Sequence, residues 1–387
     1  MHLLHDLYLQ TRASSLSLAL HPMEYVYRFA RGLRIDLWHV SGEERYSHLP
    51  VSMLCAGPIQ MRAYLKRLIF AGSLRERHLG KAWSWNIRSV AKKAHLHHSM
   101  TAVYAEKPAF QAKAAKGCFL IPTWVSGEIH LPLDPQVLQS RSVKSDLKRL
   151  RENRLEFEIT REPIRFEKFY REMHVPYIKE IRGAAAYIEP YNRLKRLLRD
   201  CELLLVRKDG EEISGAIIVR KGASCRLWLL GVRDGDRNHL KSGAVVALYY
   251  LALDYLTHCG CRVADVGWSR PFLKDGPLRY KQKLGMRITK SSGKAIALKV
   301  DSFDAATRSF LRNNPFLRET EAGLSAAVFL DEGPVLTEAD MKGLNKEYLH
   351  PGIMGISVFR SPNSAASEER PAPKSLAREL EVHSGPG

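Results

Sequence analysis

The clearest patterning in the chain starts at Glu202. The run Glu202-Leu-Leu-Leu-Val-Arg207, closed by Lys208-Asp209-Gly210, reads as a buried strand ending in a tight hairpin turn. Residues 213–220 supply the return strand, Lys221-Gly222 a second turn, and residues 226–232 a third strand, so an antiparallel meander is predicted. Asp234-Gly235-Asp236 breaks it, and a helix follows over 243–258 with Gly260 in the C-capping role. Residues 262–266 form the next strand, which a crossover helix places parallel to the third. A loop over 267–276, a short helix over 278–284 stopped by Gly285, and strands at 286–289 and 295–300 complete the run.

The flanks are less regular. Residues 166–176, 191–199 and 304–312 read as helices, and 142–154 as a surface helix with Val143, Leu147 and Leu150 on one face. Two short strands around Pro122 and Gly127 are expected to close a first domain whose residues 1–115 lean towards helix. The expected organisation is an N-terminal domain over 1–135, a second over 140–300, an appendage over 301–360 and a disordered tail over 361–387, which holds four prolines and no aromatic.

Composition narrows the function classes. At 387 residues and 45% hydrophobic, the chain can bury a large core and is not wholly disordered. Its longest apolar stretch, about 13 residues from Ala244, contains Asp254 and is too short for a membrane span. Residues 1–22 lack the charged start and apolar block of a signal peptide, and the six cysteines form no CxxC pair, so a reduced, cytoplasmic protein is expected. His95, His97 and His98 lack a matched ligand set, so no metal is expected. The formal charge of +19 points to an anionic partner. It is concentrated: residues 62–93, with Trp83 and Trp85 among them, net +8, residues 141–154 net +4 and residues 270–290 net +6.

Two segments carry candidate chemistry. A helix that starts just after the third strand of a meander presents free first-turn amides and the positive end of its dipole to an anion. The loop entering it, Arg237-Asn-His-Leu-Lys-Ser-Gly-Ala244, offers Arg237, Asn238, Lys241, Ser242 and a close-approach glycine, Gly243; a plain Ser242 cap is the alternative. The strand end Ala264-Asp265-Val266-Gly267 faces it across the cleft expected where antiparallel order turns parallel, and leads into a strongly basic loop and helix.

The meander, the crossover helix, the Asp265-Val-Gly267 strand end and Tyr280-Lys-Gln-Lys-Leu-Gly285 resemble the GNAT superfamily, nearest to its FemAB-like and cellulose-cluster (CelD-like) branch. The likeness covers roughly residues 140–300 and is carried by the order and spacing of these features. It implies an α/β (α+β) fold with a GNAT-like mixed sheet, and a degenerate second copy near the N-terminus. The chain departs from the superfamily's pyrophosphate loop by placing Lys241 where its first glycine belongs, with Gly243 at the second. Lys281 stands where many members carry a proton-donating tyrosine, with Tyr280 beside it.

The resemblance implies an N-acyltransferase that moves an acyl group from acyl-CoA (acetyl-CoA) to an amino group of a sugar, glycan-lipid or peptide precursor. Such a reaction needs a neutral amine, a stabilised oxyanion and a protonated leaving group. Backbone amides near Leu230 and Val232, or the Lys281 ammonium, would hold the oxyanion. Asp265 would orient the amine or take its proton, or else cap the following loop, and Tyr280 is either an acid or a core residue. Arg270, Lys274 and Arg279 would recognise phosphate or carboxylate on an anionic acceptor such as a phosphate-bearing small molecule or glycan precursor. An aminoacyl-tRNA donor is the second reading, and a non-catalytic basic module binding RNA or an anionic surface is the third. Neither the acceptor nor the oligomeric state is written in a motif.

Overall fold

The computed structural model describes residues 34–83, 96–106, 117–183, 186, 188–361 and 380–381. These fall into two compact units, one built from the described residues up to 120 with 293–310, the other from 121–292, 311–361 and 380–381.

The first unit is mostly strand. β1 (Arg34–Glu44), β2 (Pro50–Ala56), helix α1 (Ile59–Ile69), β3 (Phe70–Trp83), β4 (Met100–Glu106), β5 (Phe119–Pro122) and β13 (Lys294–Val300) give a six-stranded sheet in the order β3-β1-β2-β4-β13-β5. The helical leaning expected of residues 1–115 does not hold for its described part. The basic run from Arg62 starts on α1 and continues along β3, an edge strand whose side chains mostly face solvent. An exposed strand needs no apolar alternation, so its pairing with β1 left no two-residue period to read. Trp85, His95 and the N-terminal 33 residues lie outside the described part.

The second unit holds a seven-stranded sheet in the order β12-β6-β11-β10-β9-β8-β7, a mixed α/β arrangement. Its strands are β6 (Val125–His130), β7 (Glu156–Thr160), β8 (Cys201–Lys208), β9 (Glu211–Lys221), β10 (Ser224–Val232), β11 (Val263–Ser269) and β12 (Arg287–Ser291). The predicted meander is β8-β9-β10, all antiparallel, and β10 pairs in parallel with β11 across the apolar helix over Ala244–His258. Asp209 and Gly210 both adopt positive φ, which the tight β8–β9 turn requires.

Two strands sit elsewhere than the sequence suggested. β6, expected to close the first domain, is inserted between β11 and β12, and β13, assigned to the 140–300 domain, joins the first sheet. Strand partners far apart in sequence leave no local signature, so the boundaries at 135 and 300 each miss by one strand. Residues 301–360, expected as an appendage, are ordered. They supply α10 (Ala305–Asn313) and three strands of a third sheet, β14 (Phe316–Thr320), β15 (Gly323–Asp331) and β16 (Ile356–Ser361). Leu380–Glu381, within the expected tail, pairs with β16 as its fourth strand. The rest of that tail lies outside the described residues.

On the way to β8 the chain forms α2 (Pro135–Gln139), α3 (Arg141–Glu152), α4 (Pro163–Phe169), a π-helical turn over Tyr170–His174, α5 (Val175–Arg182) and α6 (Tyr191–Lys195). The helix expected over 166–176 is thus longer and has a widened turn in its middle. Pro176 has no N–H to give to the turn behind it, and the π turn accommodates that gap before α5 restarts. Beyond β10 come α7 (Arg237–Lys241), α8 (Ala244–His258) and α9 (Gly276–Lys283).

Candidate functional site

β10 and β11 are hydrogen-bonded only at their starts, Ser224 to Arg226 against Val263 to Asp265. Beyond that they part. β10 stays with β9 out to Val232 and β11 stays with β6 from Val263 to Ser269, with a register shift between Asp265 and Trp268, so the ladder between β10 and β11 lapses over Leu227–Val232 and Val266–Ser269 and leaves an open-mouthed cleft. A bulge between Leu227 and Leu229 takes Trp228 out of the β9–β10 ladder on the β10 wall. The N-terminus of α8 follows β10, which places it at the same end. Gly243 is its N-cap at φ +96°, no side chain caps it, and its first turn has no acid. A helix start left in that state favours an anion.

The donor-loop residues divide. Asn238 is the second residue of the helical turn α7, its amide donating to the capping Asp236 at 2.8 Å. Arg237 gives two hydrogen bonds to Glu180 at 2.8 and 3.0 Å, and Ser242 Oγ bonds back to the His239 carbonyl, so Ser242 is not the cap of α8. Lys241 is exposed. Arg149 of α3, which the motif reading passed over, lies against Gly243, with its Cδ 3.2 Å from where a Cβ would stand. Val232 is fully buried and paired with Ser214, and the Leu230 carbonyl is taken by a side chain described below.

Lys281 is buried, 4% exposed, and lies on the face of α9 that buries Leu278 and Gln282, one helical turn apart. Its Nζ donates to the Gly267 carbonyl, the Trp268 carbonyl and Ser269 Oγ, all at 3.0–3.1 Å. Three acceptors use the three donors of an ammonium, so Lys281 ties the β11 end to α9 and presents no N–H to an oxyanion. Burial, with repulsion from Arg182, brings it down to about 7, against the pull of Asp265 and Asp275. Near neutrality the amine form is accessible as well, because Ser269 can turn its hydroxyl from acceptor to donor.

Asp265 Oδ1 accepts from the Gly267 amide at 2.7 Å and from Ser126 Oγ at 3.3 Å, while Oδ2 faces Arg226 at 3.6 Å. Of the two roles the sequence allowed, this is the loop cap. Tyr280 packs 5.3 Å from Tyr249, and its buried hydroxyl has no hydrogen-bond partner among the described residues. Burial holds that phenol well above its usual range, so it is a core residue that gives up a proton reluctantly. Arg270 stacks 3.7 Å from the Trp124 ring and donates to the Thr123 carbonyl; Arg182 approaches the same ring at 5.1 Å. Lys274 and Arg279 are exposed, the latter acting on Tyr348 and His350.

One residue absent from the sequence reading stands at the β10 wall. His174, the last residue of the π turn, is 6% exposed, and its Nδ1 sits 2.8 Å from the Leu230 carbonyl. A carbonyl only accepts, so Nδ1 carries the proton. Burial, with repulsion from Arg182, holds the ring below its usual range against that bond. The approach is possible because residue 231 is glycine: a Cβ there would stand 2.6 Å from the His174 amide nitrogen. The signal available in the sequence was Met173-His-Val-Pro176, a histidine two residues before a proline inside a helical pattern.

Among the described residues, no group of three or more His, Cys, Asp or Glu side chains is gathered as a metal site, and no helix is long and apolar enough to cross a membrane. No family model and no curated protein matches the chain. Among solved structures it is similar to FemX (12% identity, TM-score 0.35, covering 65% of this chain and 82% of that one). It is also similar to L-PGS from Bacillus licheniformis (10%, 0.33, 67% and 81%) and to a GCN5-related N-acetyltransferase from Sphaerobacter thermophilus (12%, 0.32, 70% and 79%). At these scores the neighbours carry no weight of their own; the GNAT-like reading of the fold rests on the meander, the crossover helix and the parting of β10 from β11.

Proposed function

We propose that the second unit is an N-acyltransferase that passes an acyl group to the amine of an anionic acceptor. The observation that carries this is the coincidence, at one end of the sheet, of parted strands, a bulged β10 and an uncapped helix start. The bulge frees backbone groups beside a carbonyl, and the helix start with Arg149 suits the phosphates of a donor. Acyl-CoA fits that description. Arg270 and Arg182, gathered on Trp124, would read the acceptor's phosphate or carboxylate.

A second reading keeps the reaction and takes the acyl group from aminoacyl-tRNA. What favours it is α7, which turns the loop expected to grip a pyrophosphate into a helical turn whose Arg237 is engaged by Glu180. Thermal unfolding separates these readings. Acetyl-CoA at about 100 times its Kd should stabilise the protein by about 2.7 kcal/mol under the first. Charged tRNA binding in preference to uncharged, with affinity falling steeply in salt, would support the second. Equal binding of any RNA, with no acyl transfer from either donor, would leave the non-catalytic basic module.

A further inference from the structure

We propose that His174 is the general base of the transfer, taking the proton of the attacking amine on Nε2. This rests on the acyl-transfer reading and adds a group that neither the motif nor the resemblance supplied. Two of the candidates expected from the sequence are occupied and the third, Tyr280, is a buried phenol held above its usual range. Lys281 has its three donors bound inside the protein, Asp265 has both oxygens engaged, and the Tyr280 hydroxyl is enclosed beside Tyr249. His174 differs in one atom. Its Nδ1–H is held by the Leu230 carbonyl on the cleft-forming part of β10, and that is the one hydrogen bond of its ring among the described residues, leaving Nε2 without one.

That arrangement fixes the tautomer. A neutral imidazole with Nδ1 protonated has its lone pair on Nε2, and the backbone bond orients the ring. Three features hold it in register: the π turn that ends at His174, the absent side chain at Gly231, and a neighbouring glycine, Gly215, where a Cβ would meet the Phe169 ring at 2.8 Å. Burial above all disfavours a proton on the ring, and no negative side chain among the named neighbours opposes it. Tyr170 on its own turn lies 5.9 Å away, ring to ring, and, like Tyr177 on α5, is held above its usual range and uncharged. Arg182 on α5 repels a second positive charge, as it does at Lys281.

The step balances as follows. The neutral amine adds its lone pair to the acyl carbon, and the carbonyl π pair moves to oxygen. His174 Nε2 takes one proton from the now cationic nitrogen. The oxygen pair returns, the bond to the leaving group breaks, and the imidazolium returns its proton to the departing thiolate or ribose oxygen. The product is an amide and a neutral leaving group, with His174 as it began.

The variant that tests this is His174→Asn. Its amide nitrogen occupies the place of Nδ1 and keeps a donor to Leu230, but it has no base at the position of Nε2. With the full chain and acetyl-CoA or aminoacyl-tRNA as donor, H174N should lose about 100-fold in kcat with a nearly unchanged KM. Its unfolding midpoint should stay close to wild type, and the acid limb of the pH profile should disappear. Should H174N fold poorly, nitrogen-15 NMR of the wild-type histidines decides instead. The expected spectrum has a proton on Nδ1 and none on Nε2 at pH 7; a proton on Nε2 overturns the assignment. An active wild type matched by H174N removes His174 alone. A wild type silent with both donors removes the acyl-transfer reading, and this inference with it.

Discussion

The two walls of the cleft are built on opposite terms. The β11 wall is rich in charge, yet its charge is spent on the fold. Asp265 caps its own loop, and Lys281 binds the carbonyls of Gly267 and Trp268. The β10 wall has little charge and is shaped by absences: no side chain at Gly231, no ladder partner for Trp228, no hydrogen bond at His174 Nε2 among the described residues. A buried polar group with all its partners stabilises; one with an atom left over is what a reaction can use.

The comparison can be broken at four places, from the largest expected effect to the smallest. Gly231→Val should be the most damaging, because its side chain would press on the His174 backbone. A loss of about 3 kcal/mol in urea unfolding is expected, and a smaller loss than for Lys281→Met would mean the π turn packs loosely. Lys281→Met should cost about 2–3 kcal/mol by leaving buried carbonyls without their donor. If transfer falls much further than the folded fraction does, Lys281 returns to the reacting groups.

The same lysine gives a pH signature. Unfolded, it holds its proton to about 10.4, and folded it releases it near 7, so between those values the unfolded chain binds more protons. Wild-type stability should therefore rise with pH across that window, and the rise should be missing from Lys281→Met. Asp265→Asn keeps an acceptor for the Gly267 amide and loses the attraction to Arg226; about 1 kcal/mol is expected, read as a shift in the denaturation midpoint. Tyr280→Phe removes a hydroxyl that has no partner among the described residues, so a change within about 0.5 kcal/mol is expected, and a loss beyond about 1 kcal/mol would reveal a bond to bound water.

Most of the meander was legible because each strand is buried along its length and each turn carries its own chemistry. Predicted spans of 213–220 and 226–232 meet observed strands at Glu211–Lys221 and Ser224–Val232. The exposed edge strand β3 was not legible, since nothing on its surface had to be apolar. Lys281 and Asp265 were found as residues, and the loop cap at Asp265 was one of the two roles foreseen, but how many hydrogen bonds each already makes was not legible. Sequence spacing locates a side chain on an element, but it does not count that side chain's hydrogen bonds. His174 was missed because its meaning depends on a carbonyl 56 residues away.

The sequence by itself determined the local alphabet: the β8-β9-β10 meander, the apolar helix between β10 and β11, and the concentration of positive charge in a few segments. Only the tertiary structure decided which strands share a sheet, sending β6 into the second and β13 into the first. It also decided which polar groups are satisfied. Periodicity and turn chemistry act between near neighbours and are written in the chain, whereas strand pairing and hydrogen-bond saturation depend on partners far apart in sequence and exist only once the chain has folded.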